Sequence, residues 1–323
     1  MSRLVASVAS RLVIVVPYLW LLFFFLVPFV IVFKISLSDL AIAMPPYTPA
    51  LDGLGDLWAR LGEFDLENFK LLMCDLLGYV GMGGGLCQDG FNPDFFDRPY
   101  LSVAYLSSLK IAGISTFLTL LVGYPLAYGM ARAPQSMRGT LLMLVILPFW
   151  TSFLIRVYAW IGILKPEGLL NQLLLSIGII DQPLVIMNTN TAVYIGIVYS
   201  YLPFMVLPLY AALERQDHSL IEAAQDLGCP PLSAFWKITF PLSLPGVVAG
   251  CLLVFIPAVG EFVIPDLLGG SRTLMIGKTL WSEFFNNRDW PLSSAVAIVL
   301  LLILVVPIML FQRAQARAQE QDR

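Results

Sequence analysis

Six runs of this chain are long and apolar enough to cross a lipid bilayer, and they limit the folds open to it more than any other feature. Bilayer hydrocarbon is about 30 Å thick, so a helix rising about 1.5 Å per residue needs roughly 20 apolar residues to span it. Residues 12–35, 101–130, 140–163, 191–212, 242–265 and 292–311 meet that length. In a chain of 323 residues that is 58% hydrophobic and 13% charged, runs of this kind exclude a soluble globule. The expected fold is an all-α polytopic membrane protein with six transmembrane helices. A seventh apolar piece, 169–180 ("LLNQLLLSIGII"), reaches only about 18 Å as a helix and is expected to be interfacial or re-entrant. The first run follows Arg3 and Arg11, as a signal peptide would. Its apolar core is too long for that and no small-x-small cleavage site follows, so it is expected to stay as a membrane helix.

Loop charge sets the orientation. With six spans and a cytoplasmic N-terminus, the inner segments are 1–11, 131–139, 213–241 and 312–323, and they hold nine Lys/Arg. The much longer outer segments hold seven, so basic density favours this orientation, with both termini cytoplasmic. The same assignment leaves the outer face strongly acidic, which suits a cationic solute and equally suits ordinary solvated loops. The expected divisions are 1–36 (cytoplasmic end and first span), 37–100 (periplasmic loop), 101–311 (transmembrane body with an insert at 213–241) and 312–323 (cytoplasmic tail).

The 37–100 loop opens with "MPPYTP" and carries the glycine cluster "GYVGMGGGL"; a short helix is expected at 65–77. Cys74 and Cys87 share this loop, in a compartment that permits oxidation, and two readings stay open: a disulfide or two free thiols. Gly277-Lys278-Thr279 imitates the end of a phosphate loop. Arg272 stands where the first glycine of that motif belongs, and the segment is expected to be a plain loop. No nucleophile–base pair or metal constellation is visible, so no catalytic residue, metal or cofactor is assigned. Transport remains for a chain with prolines at 125, 148, 203, 208, 257 and 265, in or near its spans.

The insert "HSLIEAAQDLGCPPLSAFWKITFP" (218–241) is polar and helix-forming between two apolar runs. Ser219 and Glu222 have the spacing of a capping box, Gly228 can take the left-handed position that ends a helix, and Pro230 and Pro231 suit the start of a second helix ending before Pro241. The expected shape is helix, glycine turn, helix. It fits either a knob for a partner's groove or a loop packed on its own bundle.

The residues Glu222-Ala223-Ala224, then Gly228, Ile238 and Phe240-Pro241, resemble the signature of permease subunits of binding-protein-dependent ABC importers, with Phe240 in place of the usual Leu. The resemblance implies a type I importer permease fold and makes the insert a coupling loop seated on an ATPase. It implies a homologous permease, two ATPase subunits and a periplasmic solute-binding protein as partners, with membrane lipid around them and no nucleic acid. ATP would be used by the partner subunits, not bound by this chain. The segments "FKISLS", "ILPFWTSFLIRVYAWIGIL", "FIPAVGEFVIPDLLGG" and "EFFNNRDWP" resemble the polyamine branch of that family, most closely its putrescine importers, with spermidine as a further substrate. Residues 50–99 match nothing in that pattern. An importer for another small solute, an ion-coupled secondary carrier and a membrane scaffold are the alternatives. A secondary carrier has no use for the coupling motif, and a scaffold does not account for buried charge.

Glu261, between Pro257 and Pro265 in a span that should be broken there, admits two readings. One is a permanent salt bridge with Arg156. The other places Glu261 on the substrate path, with Trp150, Tyr158 and Trp281 offering cation–π faces.

Overall fold

The computed structural model describes residues 15–50, 62, 64–81, 100–217, 219–271 and 273–321. The chain is helical almost throughout. It divides into two compact units, residues 1–100 with 280–305, and residues 101–279 with 306–323. Cys87, His218, Arg272 and the glycines that follow Met82 lie outside the described residues.

In the first unit, helix α1 (Val15–Ser36) turns its apolar side chains outward along its length, as a helix does when lipid is its solvent. The carbonyls freed at its end are taken up by Asn68, whose amide donates to Ser36 O (3.2 Å) and Ser38 O (2.9 Å). Lys34 also turns back at this end, donating to Pro49 O (2.5 Å) with its ammonium 4.2 Å from the Tyr47 ring centroid. A two-residue hairpin (β1, Asp39–Leu40; β2, Tyr47–Thr48) lies between them. The helix expected at 65–77 is α2 (Glu67–Val80), closed by Gly81 at φ +77°. Cys74 is buried on α2 and disulfide-bonded.

The second unit holds α3 (Tyr100–Arg132), α4 (Gln135–Ile146), α5 (Phe153–Leu164), α6 (Leu169–Ser176), α7 (Asn190–Glu214), α8 (Ser219–Asp226), α9 (Pro231–Val259), α10 (Val263–Leu267) and α11 (Ile276–Trp281). The last long helix, α12 (Trp290–Gln321), contributes to both units. Five helices are long and apolar enough to span, and a bent pair brings the number to six among the described residues.

That bent pair corrects the expectation of a single helix at 140–163. After α4 the chain tightens into a 3₁₀ turn at Leu147–Trp150, runs extended through Thr151 and Ser152, and restarts as α5, with an 89° change of direction. Pro148 has no amide to donate to a regular ladder, and Thr151 Oγ1 donates to the Pro148 carbonyl (2.7 Å). The short piece at 169–180 does form a helix too short to cross, α6.

The core is a seam of α3, α7 and α9. Ala127, Met130 and Ala131 meet Met205, Val206, Leu209, Tyr210 and Leu213, with Val247 and Val254 closing the third side. Lipid tails are as apolar as these side chains, so close backbone approach, not hydrophobic exclusion, holds such helices together. Gly246 and Gly250, four apart on α9, allow it against α7. A Cβ at Gly246 would lie 2.6 Å from Ala212 Cβ and 2.8 Å from Pro208 O, whereas one at Gly250 would first meet the flexible end of Met205, 2.8 Å from its sulfur. Gly246→Ala is therefore expected to cost about 1–3 kcal/mol, the usual range for overpacking, and Gly250→Ala clearly less. Thermal unfolding of the two variants in detergent checks this, and equal losses would contradict it.

Candidate functional site

Two parts of the second unit carry chemistry or contacts that lipid-facing helices have no need of. The first is the insert between α7 and α9. Its neck is closed by Gln216, whose amide donates to Thr239 O (2.9 Å). Beside the neck, Glu214 accepts from Tyr210 OH (2.7 Å) and pairs with Arg138 on α4 (3.3 Å). The expected Ser219–Glu222 capping box is not the arrangement found. Ser219 is already helical, and its amide donates to Asp217 Oδ1 (2.9 Å), because an aspartate two residues upstream reaches that amide in a local turn.

The glycine turn is as expected. Cys229 N donates to Ala224 O (2.9 Å), Gly228 N donates to Gln225 O (2.8 Å), and Gly228 sits at φ +79°. Pro231 starts the second helix, but this helix does not stop before Pro241. It passes through a wide π turn at Phe235–Thr239 and continues as the spanning part of α9. Pro241 has no amide for Lys237 O, and the wider turn ahead of it absorbs that missing bond. Phe235 packs edge-on against Tyr124 (5.7 Å) and Tyr128 (5.6 Å), anchoring the second arm to α3. In the first arm Ile221 and Ala224 turn partly inward, while Leu220, Glu222 and Ala223 face out and Leu227 is 89% exposed. An exposed leucine at a helix end, beside Leu232 and Trp236 at 72% and 57%, forms an apolar knob without cover from its own chain.

The second part is the break in the fifth run, where the helix expected over 242–265 stops at Val259 and restarts at Val263. Glu261 lies in the gap and is 8% exposed. Its Oε1 accepts from the amides of Val263 (3.0 Å) and Ile264 (3.3 Å), and Oε2 accepts from Tyr201 OH on α7. Glu261 thus caps α10 and ties it to α7. Helix α11 presses on the same gap. Its Gly277 leaves no room for a Cβ against the carbonyl oxygens of Gly260 and Glu261, and Ser108 Oγ on α3 accepts the Ile276 amide (2.7 Å). The segment expected as a loop at Gly277-Lys278-Thr279 is therefore helix, and Lys278 pairs with Asp266 (3.3 Å).

The salt bridge between Arg156 and Glu261 is not formed; the ion pairs among the described residues are Arg138–Glu214 and Lys278–Asp266. Glu261 is satisfied by two amides and a hydroxyl instead. Arg156, 9% exposed on α5, lies over the rings of Phe149 (5.2 Å) and Phe153 (5.8 Å). Among the expected aromatic faces, Trp150 and Tyr158 are exposed, and Trp281 lies tilted at 4.1 Å from Phe285; none is in hydrogen-bond or ring contact with Glu261 or Arg156 among the described interactions. The rings that do lie between the two charges are others. Phe149 meets Phe204 edge-on at 5.1 Å, Phe204 lies 6.0 Å from Tyr201, and Tyr201 holds Glu261. The sequence signal for this row is the flanking of Pro148 and Pro203 by aromatics, since breaks in spans are where irregular backbone lines a cavity. Tyr201→Phe removes one of three donors to a buried carboxylate and is expected to lower stability by about 1–3 kcal/mol, read as the shift in thermal unfolding. A variant as stable as the parent would mean that the hydroxyl contributes nothing there.

A polytopic bundle with a stapled, knob-bearing insert and a broken span around a buried carboxylate is the architecture of a membrane transport subunit. The chain belongs to the family described as binding-protein-dependent transport system inner membrane component, whose sequence profile matches residues 120–320. It is 37% identical over 312 residues, 97% of this chain and 96% of the other, to the spermidine/putrescine transport system permease protein PotB of Haemophilus influenzae. It is 46% identical over 209 residues, 65% of this chain and 76% of the other, to the protein of the same name from Escherichia coli. A chain in the crystal structure of a bacterial alginate ABC transporter, bound to its alginate-loaded periplasmic protein, superposes with a TM-score of 0.52 over 82% of this chain and 92% of that one. At 18% identity that likeness concerns the fold.

Proposed function

We propose that this permease carries polyamines inward, putrescine first and spermidine as well, along a path it forms with a homologous permease. The observation that carries the reading is the identity held across 97% of the chain with a relative named for both amines, a stretch that includes the insert and the broken span. In this reading the insert is cytoplasmic, as are both termini, and the apolar knob around Ala223 and Leu227 seats on an ATPase subunit. Two such ATPases, one under each permease, close on ATP and shift the access of the path from one side to the other. A periplasmic solute-binding protein delivers the amine. Glu261 is the one deeply buried carboxylate of the second unit among the described residues, and it takes a substrate ammonium in exchange for one of its present donors.

The deciding experiment is uptake by the full complex in proteoliposomes. Labelled putrescine, spermidine and an oxyanion are compared, with ATP present or absent and the membrane potential clamped. ATP-dependent uptake of the two amines alone is expected. Uptake that persists without ATP would point to a secondary carrier, and preferential uptake of the oxyanion would overturn the polyamine reading.

Two variants separate the parts. Gly228→Val meets no neighbouring atom but forces a branched side chain into a left-handed position, at about 1–2 kcal/mol. It is expected to insert normally while ATPase retention and uptake fall about five- to thirtyfold, as follows when a shift of that size reaches a binding equilibrium. Normal uptake with bound ATPase would remove the insert from its docking role. Glu261→Gln is expected to assemble and to lose most amine uptake, and full uptake by an assembled variant would take Glu261 off the path.

A further inference from the structure

Arg156 is the unexplained charge in the second unit. It is nine-tenths buried, its Nε and Nη1 have no hydrogen-bond partner, and it belongs to neither of the ion pairs found among the described residues. A buried cation in a membrane protein is costly, and an arginine placed there without a counter-ion keeps its full charge. Its surroundings are aromatic, with Phe149 and Phe153 at 5.2 and 5.8 Å from the guanidinium carbon. From Phe149 the rings of Phe204 and Tyr201 lead to the Glu261 carboxylate. A row of ring contacts, edge-on between Phe149 and Phe204, therefore has a carboxylate at one end and an unpaired guanidinium at the other. Phe204, in the middle of the row, is 38% exposed.

We propose that Arg156 is a specificity-determining residue: its charge ends the cation-binding row and favours short diamines over longer polyamines. The inference rests on the reading above, in which Glu261 receives a substrate ammonium. An amine held there lays its methylene chain and next ammonium along Tyr201 and Phe204, where ring faces attract a cation. A short diamine keeps both charges near Glu261. A longer triamine carries its far ammonium toward Phe149, whose neighbourhood the guanidinium already occupies, and like charges repel strongly where the dielectric is low. The orphaned donors matter here because a paired arginine would cast little field along the row.

The experiment is competitive uptake of putrescine and spermidine by the full complex, comparing the parent with Arg156→Met and Arg156→Lys. Methionine keeps much of the packing volume and removes the charge; lysine keeps the charge. The spermidine-to-putrescine uptake ratio is expected to rise about tenfold with Arg156→Met, the effect of removing one unit charge felt over about 10 Å at an effective dielectric of about 20. With Arg156→Lys it is expected to stay near the parent value. An unchanged ratio in an assembled Arg156→Met complex overturns the proposal. If Arg156→Met fails to assemble, Arg156→Gln takes its place, removing the charge but keeping a polar end, with the same expected rise and with an unchanged ratio again overturning the proposal; with Arg156→Lys a shift above about threefold makes guanidinium geometry, not charge, the determinant and also overturns it. If the parent complex takes up neither amine, the polyamine reading itself has failed, and that outcome is seen before any variant is compared.

Discussion

A helix that breaks inside a membrane frees amides that lipid cannot satisfy, and in this protein a single carboxylate meets that demand. Glu261 accepts from Val263 and Ile264 at the start of α10 and from Tyr201 on the neighbouring α7. Each unsatisfied amide in hydrocarbon would cost several kcal/mol, so the break can exist only with such an acceptor beside it. The carboxylate is in turn tolerated because three donors surround it. Helix α11 then packs on the same gap through Gly277, with no room for a side chain. The polar site and the irregular backbone are thus one structure.

Around that gap the unit is held by proximity rather than by hydrophobic exclusion. Small residues recur on the buried faces of α3 (Ala112, Ser115, Thr119, Gly123, Ala127) and of α9 (Ser243, Gly246, Gly250). Thr116 and Thr119 donate within their own helix, to Ala112 O and Ser115 O, while Ser243 also reaches across the seam to the Tyr124 hydroxyl on α3 (2.9 Å). What such a face chiefly offers its neighbour is closeness, and Gly246, where a Cβ would lie 2.6 Å from Ala212 Cβ, is the tightest instance on these two faces.

Much of this was legible in the sequence, because the bilayer imposes a length and lipid imposes apolarity. Five of the six expected spans are helices at nearly the expected bounds, with the fifth ending early at the break read from Pro257 and Pro265. The turn at Gly228 was legible because few other residues adopt its φ. The 89° bend at Thr151–Ser152 was not, since one proline marks a weak point without setting a direction. The continuation of the insert's second helix through Pro241 was missed for a related reason: a π turn absorbs a proline that would end a regular helix. The expected Arg156–Glu261 bridge failed because charge matching takes no account of backbone amides, which reach Glu261 first. Charge and proline spacing located the break, but the rings beside it depend on how α4, α5 and α7 cross, and no local pattern encodes that.

The closed neck of the insert has a mechanical consequence. Gln216 and Thr239 tie the adjoining ends of α7 and α9, and the glycine seam above them keeps the two helices in register. Tyr201 belongs to one of these rods, and Glu261 follows directly on the end of the other. A push applied at the insert therefore arrives at the phenol and the carboxylate together, as it would at two tines of one fork. The elbow between α4 and α5 meets the same fork at two levels, through Arg138 on Glu214 near its root and through Phe149 on Phe204 beside the phenol.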